Sequence, residues 1–377
     1  MISPRIRGFL AERKPEEPCL VIDLDRVRRN FDAFRTAMPE SAVYYAVKAN
    51  PHPEVLRLLA AAGSNFDCAS VNEIRMALEA GATANRISFG NTIKKERDVA
   101  RAFELGVRMF AVDCPEEVEK IARSAPGSRV FCRILTDCAG AEWPLSRKFG
   151  CDPEMAPGVL EHAFRLGLTP IGVSFHVGSQ QTNAAAWDVA LESASEIFRE
   201  METRGIRLTM VNLGGGFPTR YLKNVPALAE YGQTIYGAVR RFFGNRLPDT
   251  IIEPGRGMVG DAGVIRSEVV LVSRKSETDT VRWVYLDIGK FGGLAETMDE
   301  AIRYSIVTDR DEDTRSPCVL AGPTCDSADV LYEKTPYALP DTLKAGDEVF
   351  IEGTGAYTST YSAVAFNGFE PLRTFVI

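Results

Sequence analysis

Three short stretches of the chain carry more chemistry than a fold requires. Residues 43–48, VYYAVK, run from good strand formers into a lysine, and Asn50-Pro51 stops the run. Lys48 is therefore expected at the C-terminal end of a buried strand, where an amine must find a partner or lose its proton. The plainer alternative is a lysine whose stem packs while its head reaches water. Residues 212–218, NLGGGFP, make a glycine turn. The bare N–H groups of Gly214, Gly215 and Gly216 suit an anion, although GGG alone is more simply a tight turn. Residues 253–256, EPGR, set Glu253 beside Pro254, Gly255 and Arg256. Arg256 offers a bidentate contact to a phosphate. A carboxylate in that company needs a cation to face, and a protonated heterocyclic nitrogen is one.

Something must bring these stretches together. The chain has 377 residues, enough for two domains. Short apolar runs recur at 43–48, 65–70, 87–90, 109–113, 129–135, 172–178, 209–214 and 250–255. Amphipathic segments such as 53–62, 71–80 and 115–123 lie between them, opened by a capping Ser70 or by Pro115 in the first turn. Eight strands alternating with helices predict an α/β fold, a (β/α)8 barrel over 24–262; an open doubly wound sheet is the second choice. After about residue 263 the helices stop. Runs at 264–273, 281–287, 347–352 and 362–366 predict a mainly antiparallel β domain, a sandwich or small barrel. The segment 17–23 precedes the first barrel helix, at 24–38, and is expected to join that sheet, so the domain is built from 1–23 and 263–377.

Composition removes several function classes. The formal charge of −7 and a pI near 5.3, without a basic run, argue against nucleic acid. No apolar run approaches the roughly 20 residues of a membrane span. The N-terminal residues lack the shape of a signal peptide, so a cytoplasmic protein is expected. Eight scattered cysteines without a CxxC pair read as free thiols, and the three histidines have no metal-ligand spacing. A metal site is not expected.

In a barrel, the C-terminal strand ends share one mouth, and the loops after strands seven and eight commonly bind phosphate. Read that way, Lys48, Asp67, Arg133, His176, the 214–216 glycines and the 253–256 turn face one pocket. A single histidine on a strand is most simply a satisfied core residue. His176, however, ends its strand on the same rim, and we read it as stacking on a ring. An amine for an imine, a phosphate cradle, a carboxylate for a ring nitrogen and an aromatic for the ring face are what pyridoxal 5′-phosphate needs from a protein.

These residues also resemble a known family. YYAVKAN, FDCAS, HVGSQ, LGGGFP, EPGR, GPTCDSAD and GAYTSTYSAVAFNGF occur in order along nearly the whole chain. Together they resemble the pyridoxal-phosphate-dependent decarboxylases with an alanine-racemase-type barrel, in particular the ornithine decarboxylase branch. The resemblance implies that Lys48 is the imine-forming lysine, supported by Asp67 and Arg133, with His176 on the pyridine face. It implies a phosphate shell of Ser179, Gly214 to Gly216, Gly255, Arg256 and Tyr357, and makes Glu253 the partner of the ring nitrogen. It makes Cys325 the catalytic cysteine, supplied by the second subunit of a homodimer with shared active sites, and Asp326 the carboxylate that meets the distal amine of a basic amino acid. The physics of the last two agrees: an ammonium wants a carboxylate, and a thiol is a tunable acid for Cα. The ordinary fate of a cysteine is a buried free thiol, but Cys325 lies in a Gly/Pro loop. One departure stands out: where ornithine-specific members often carry an aspartate, this chain has Glu300, with Asp299 beside it.

The activity implied is decarboxylation of L-ornithine to putrescine, for polyamine synthesis. A dual lysine/ornithine enzyme shares the chemistry, and an arginine decarboxylase would need room for a guanidinium. A diaminopimelate decarboxylase usually shows CES where this chain has CDS. An alanine racemase shares VKAN but pairs the pyridine with arginine, against Glu253. A non-catalytic, pyridoxal-phosphate-binding regulatory homologue tends to lose the lysine or the cysteine, and this chain keeps both.

Overall fold

The computed structural model describes residues 2–143 and 147–377. The chain divides into two compact units: Arg28–Pro218 with Val225–Met258, and Met1–Val27 with Thr219–Asn224 and Val259–Ile377.

The first unit is a closed barrel of parallel strands. In chain order these are Ser41–Ala46, Asn65–Cys68, Ile87–Phe89, Met109–Val112, Arg129–Arg133, Thr169–Ser174, Met210–Asn212 and Asp249–Ile252. Closure is explicit: Thr250, Ile251 and Ile252 pair with Ser41, Ala42 and Val43. Runs such as Met109–Val112 are buried at every position, as befits strands covered on both faces. Tyr44, Met109, Ala111, Phe131, Met210 and Ile251 pack together inside, so the barrel is a filled core rather than a pore. Local chemistry sets the helix starts. Ser70 Oγ accepts the Glu73 N–H at 3.2 Å, and Pro53 and Pro115 occupy first turns where no N–H is needed.

The second unit is built on an eight-stranded mixed sheet. Its early strand, Cys19–Ile22, runs antiparallel to Gly263–Arg266 and parallel to Arg373–Val376, so both ends of the chain enter one sheet. The long strand Gly263–Ser273 shifts register between Val269 and Leu271. One half pairs with Glu348–Glu352 and the other with Arg282–Leu286. A second parallel pairing joins Arg282–Leu286 to Arg315–Ala321.

Two features depart from the sequence reading. Residues 362–366 are not a strand. Ala363 makes one backbone bond to Phe291, at 2.8 Å, and then Ala365 and Asn367 turn left-handed at φ 58° and 51°, which a ladder cannot follow. The N-terminus carries an unforeseen helix, Pro4–Arg13, capped by Ser3, whose Oγ accepts the Ile6 N–H at 3.2 Å. Its Ile6 and Leu10 pack with Cys19, Val21, Val264 and Phe350. No helix among the described residues is long and apolar enough to cross a membrane.

Candidate active site

Lys48 follows the first barrel strand in a tight 3-10 turn, Val47–Ala49. Such a turn rotates each side chain by about 120° from the last. Val47 and Ala49 are buried, and Lys48 is exposed rather than buried as the sequence suggested. Its charge reaches three groups, favouring the ionised forms of Asp67 and Glu73 and disfavouring protonation of His176.

Asp67, on the second barrel strand, is 8% exposed. Its Oδ1 is buried with no hydrogen-bond partner among the described residues. Burial pushes this carboxyl well above its ordinary value, repulsion by Glu253 adds to the push, and Lys48 partly offsets it. A β-carbon at Gly90 would stand 1.9 Å from Oδ1, so the adjoining strand end makes room for the carboxylate.

Glu73 escaped the sequence reading. Its Oε2 accepts the Ala69 N–H at 2.6 Å while its own N–H goes to Ser70. Burial raises its pKa; the Ala69 bond and Lys48 work the other way. The signal was legible as Ser70-Val-Asn-Glu73, a capping box opening directly after the Asp67 strand.

Arg133 ends the fifth strand. Desolvation lowers its pKa, opposed by Glu253, Asp67 and Asp113. The guanidinium carbon lies 5.4 Å from the centre of the Phe149 ring. His176 follows the sixth strand. Its Nδ1 accepts the Gly178 N–H at 3.0 Å, which leaves the imidazole proton on Nε2. Burial, with Arg133 and Lys48 nearby, drives its pKa well down, so the ring is neutral.

The glycine loop leaves the seventh strand with Gly214 and Gly216 at φ 68° and 101°, conformations that favour glycine. Gly214 donates to Asn212 Oδ1 at 3.0 Å. The N–H groups of Gly215 and Gly216 make no backbone bond among the described residues. On the next loop, Arg256 is 3% exposed and its Nε and a terminal nitrogen donate to Ser179 Oγ at 3.3 and 3.1 Å. Pro254 accepts the Ala46 N–H at 3.2 Å and Gly255 accepts that of Met258 at 3.0 Å. Glu253 accepts a hydrogen bond from Asn212 Nδ2. Behind the glycines, Trp187 Nε1 donates to the Leu213 carbonyl at 3.0 Å, and Trp187, Phe217 and Tyr231 pack ring on ring.

The barrel mouth thus holds an exposed amine, an unpartnered buried carboxylate oxygen, two bare glycine N–H groups, a buried arginine with a serine, a carboxylate and a neutral imidazole. This donor set fits pyridoxal phosphate: the N–H groups, Ser179 and Arg256 for the phosphate, Glu253 for the ring nitrogen, Lys48 for the aldehyde carbon.

The remaining sequence candidates lie in the sheet unit. Cys325 is exposed on the loop between strands Arg315–Ala321 and Val330–Pro340, and its N–H donates to Asn367 Oδ1 at 2.8 Å. Asp326 Oδ1 accepts the Ala328 N–H at 2.8 Å. The loop closes around Asp329, 2% exposed, which accepts from the Lys290 N–H and the Thr324 hydroxyl at 2.7 and 2.8 Å. Glu300 accepts backbone N–H groups of Glu333, Lys334 and Thr335 and pairs with Arg303 at 2.8 Å, so its carboxylate is fully engaged. Asp299 has a side chain 86% exposed, 3.2 Å from Lys334 Nζ. Tyr357 sits at φ 57°, its ring 6.0 Å from that of Tyr361.

Comparison with known proteins agrees with this chemistry. The family described as pyridoxal-dependent decarboxylase, pyridoxal binding domain, matches residues 24–260. A lysine/ornithine decarboxylase of Selenomonas ruminantium is 38% identical, over 97% of this chain and 91% of its own length. An ornithine decarboxylase of Caenorhabditis elegans is 32% identical, over 95% of this chain and 87% of its own. The crystal structure of an arginine decarboxylase from Paramecium bursaria Chlorella virus superposes with a TM-score of 0.89 at 28% identity, covering 99% of both chains.

Proposed function

The chain belongs to the pyridoxal-dependent decarboxylases, and on that premise we propose that it converts L-ornithine to putrescine and carbon dioxide as a cytoplasmic enzyme of polyamine synthesis. The carrying observation is the pairing of two adjacent loops, one with bare glycine N–H groups and the other with Glu253 ahead of buried Arg256.

When bound, pyridoxal phosphate supplies an electron-withdrawing ring that takes up the electron pair left at Cα as carbon dioxide departs. The rest is the work of side chains. Gly215, Gly216, Ser179 and Arg256 hold the phosphate. Glu253 keeps a proton on the ring nitrogen, and His176, being neutral, packs on the ring face without competing for that charge. Lys48 supplies the attaching amine and, when free, finds Asp67 and Glu73 as counter-charges. Cys325 and Asp326 act in the site of a second copy: Cys325 returns a proton to Cα, and Asp326 receives the distal ammonium of the substrate. The protein is accordingly a homodimer with shared sites.

A dual lysine/ornithine preference is the second reading, favoured by the Selenomonas relative. One methylene in such a pocket is worth only ~1–3 kcal/mol. The test is product identification. Protein loaded with pyridoxal phosphate and given ornithine should yield putrescine by mass spectrometry, and Lys48→Ala should yield none. Agmatine from arginine, without putrescine from ornithine, would refute the assignment.

A further inference from the structure

We propose that Asn212 is a positioning residue that joins the phosphate loop to the ring-nitrogen site, holding Glu253 in place with one end of its amide and Gly214 with the other. The proposal rests on the assignment of Glu253 to the ring nitrogen. Asn212 is the last residue of the seventh strand and is 1% exposed. Its Oδ1 accepts the Gly214 N–H at 3.0 Å, and its Nδ2 donates to Glu253 Oε1. Chemistry fixes this orientation: a backbone N–H can only donate and a carboxylate only accepts, so the amide fits one way round.

The bridge has a backbone counterpart. Glu253 N–H donates to the Gly214 carbonyl at 2.8 Å. Two links therefore tie the loop that cradles phosphate to the residue that meets the far side of the ring. With Oε1 occupied by a neutral donor, Oε2 is the oxygen left for the ring nitrogen. Glu253 also repels the buried Asp67, and a donor on Oε1 lets it stay in that company without turning toward a backbone group.

Two substitutions separate the ends of the bridge. Asn212→Leu removes both contacts at similar volume. Asn212→Asp keeps an acceptor for Gly214, but can donate to Glu253 only while protonated. The readouts are the dissociation constant of pyridoxal phosphate across pH and the 15N signal of the cofactor labelled at its pyridine nitrogen. Asn212→Leu should weaken cofactor binding about tenfold or more and move the nitrogen signal from the protonated towards the unprotonated position. For Asn212→Asp the ratio of its dissociation constant to that of the unmodified protein should grow as pH rises from 6 to 9. A purely structural role would give a ratio flat with pH, and that result, or an unmoved 15N signal in Asn212→Leu, overturns the proposal. If the unmodified holoenzyme itself shows an unprotonated nitrogen, the role of Glu253 falls and Asn212 falls with it.

Discussion

Gly215 lies against the His176 ring so closely that a β-carbon on it would stand 3.1 Å from Nε2, and 2.8 Å from the Glu253 carbonyl oxygen. The loop that offers N–H groups and the imidazole proposed to cover the cofactor are thus in direct register. Gly215→Ala should push them apart, at a cost of about 1–3 kcal/mol for overpacking. The expected readout is a cofactor dissociation constant raised about tenfold, followed by fluorescence titration. An unchanged constant would mean that this contact positions nothing.

Asp67 is a buried carboxylate with an unpartnered oxygen, and its burial costs stability. Its native pKa is raised, so the folded chain carries the penalty of the ionised form at high pH and is relieved of it as pH falls through the native value towards the ordinary one. Asp67→Asn should therefore stabilise the cofactor-free protein at pH 8, by about 1–3 kcal/mol for an unpartnered buried polar group. The gain should shrink as pH is lowered. Thermal unfolding from pH 5 to 8 measures it, and a gain that grows towards acid pH would contradict the assignment.

Glu300 and Asp299 should behave differently although they are neighbours. Glu300 gathers three backbone N–H groups and Arg303, so Glu300→Gln should lower the unfolding midpoint by several degrees, a loss of about 1–3 kcal/mol for a charge-assisted network. Asp299→Asn, at an exposed site, should leave the midpoint alone and shift the ornithine-to-lysine ratio of kcat/KM. If Glu300→Gln changes substrate preference with no loss of stability, the roles are reversed.

The proposed shared sites make a prediction that no monomer can satisfy. Lys48→Ala and Cys325→Ala should each be inactive or nearly so. Mixing the two and allowing subunits to exchange should restore up to about a quarter of normal activity, because half the dimers are mixed and each mixed dimer has one intact site. No recovery on mixing, with exchange shown by tagged subunits, would place both residues in one chain's own site.

The barrel was legible because each strand is a short apolar run bounded by a cap or a proline, and eight such units leave few architectures. The strand ends Asp67, Arg133, His176 and Glu253 were found by following that architecture to its rim. Lys48 was misjudged in burial because its strand ends at Ala46, and a 3-10 turn, which leaves little trace in composition, leaves the lysine exposed. Asn212 was passed over because an asparagine before glycines reads as a turn residue; only the placement of the eighth strand beside the seventh reveals Glu253 as its partner. The engagement of Glu300 joins residues 33 to 35 positions apart, and no local pattern announces it.

The most direct measurement of substrate preference is carbon dioxide release by the holoenzyme from ornithine, lysine, arginine and meso-diaminopimelate, compared as kcat/KM under one set of conditions. We expect ornithine to lead by about tenfold or more, equivalent to about 1.4 kcal/mol of transition-state preference. Lysine equal to ornithine would make the enzyme dual, and arginine or diaminopimelate in the lead would contradict the assignment.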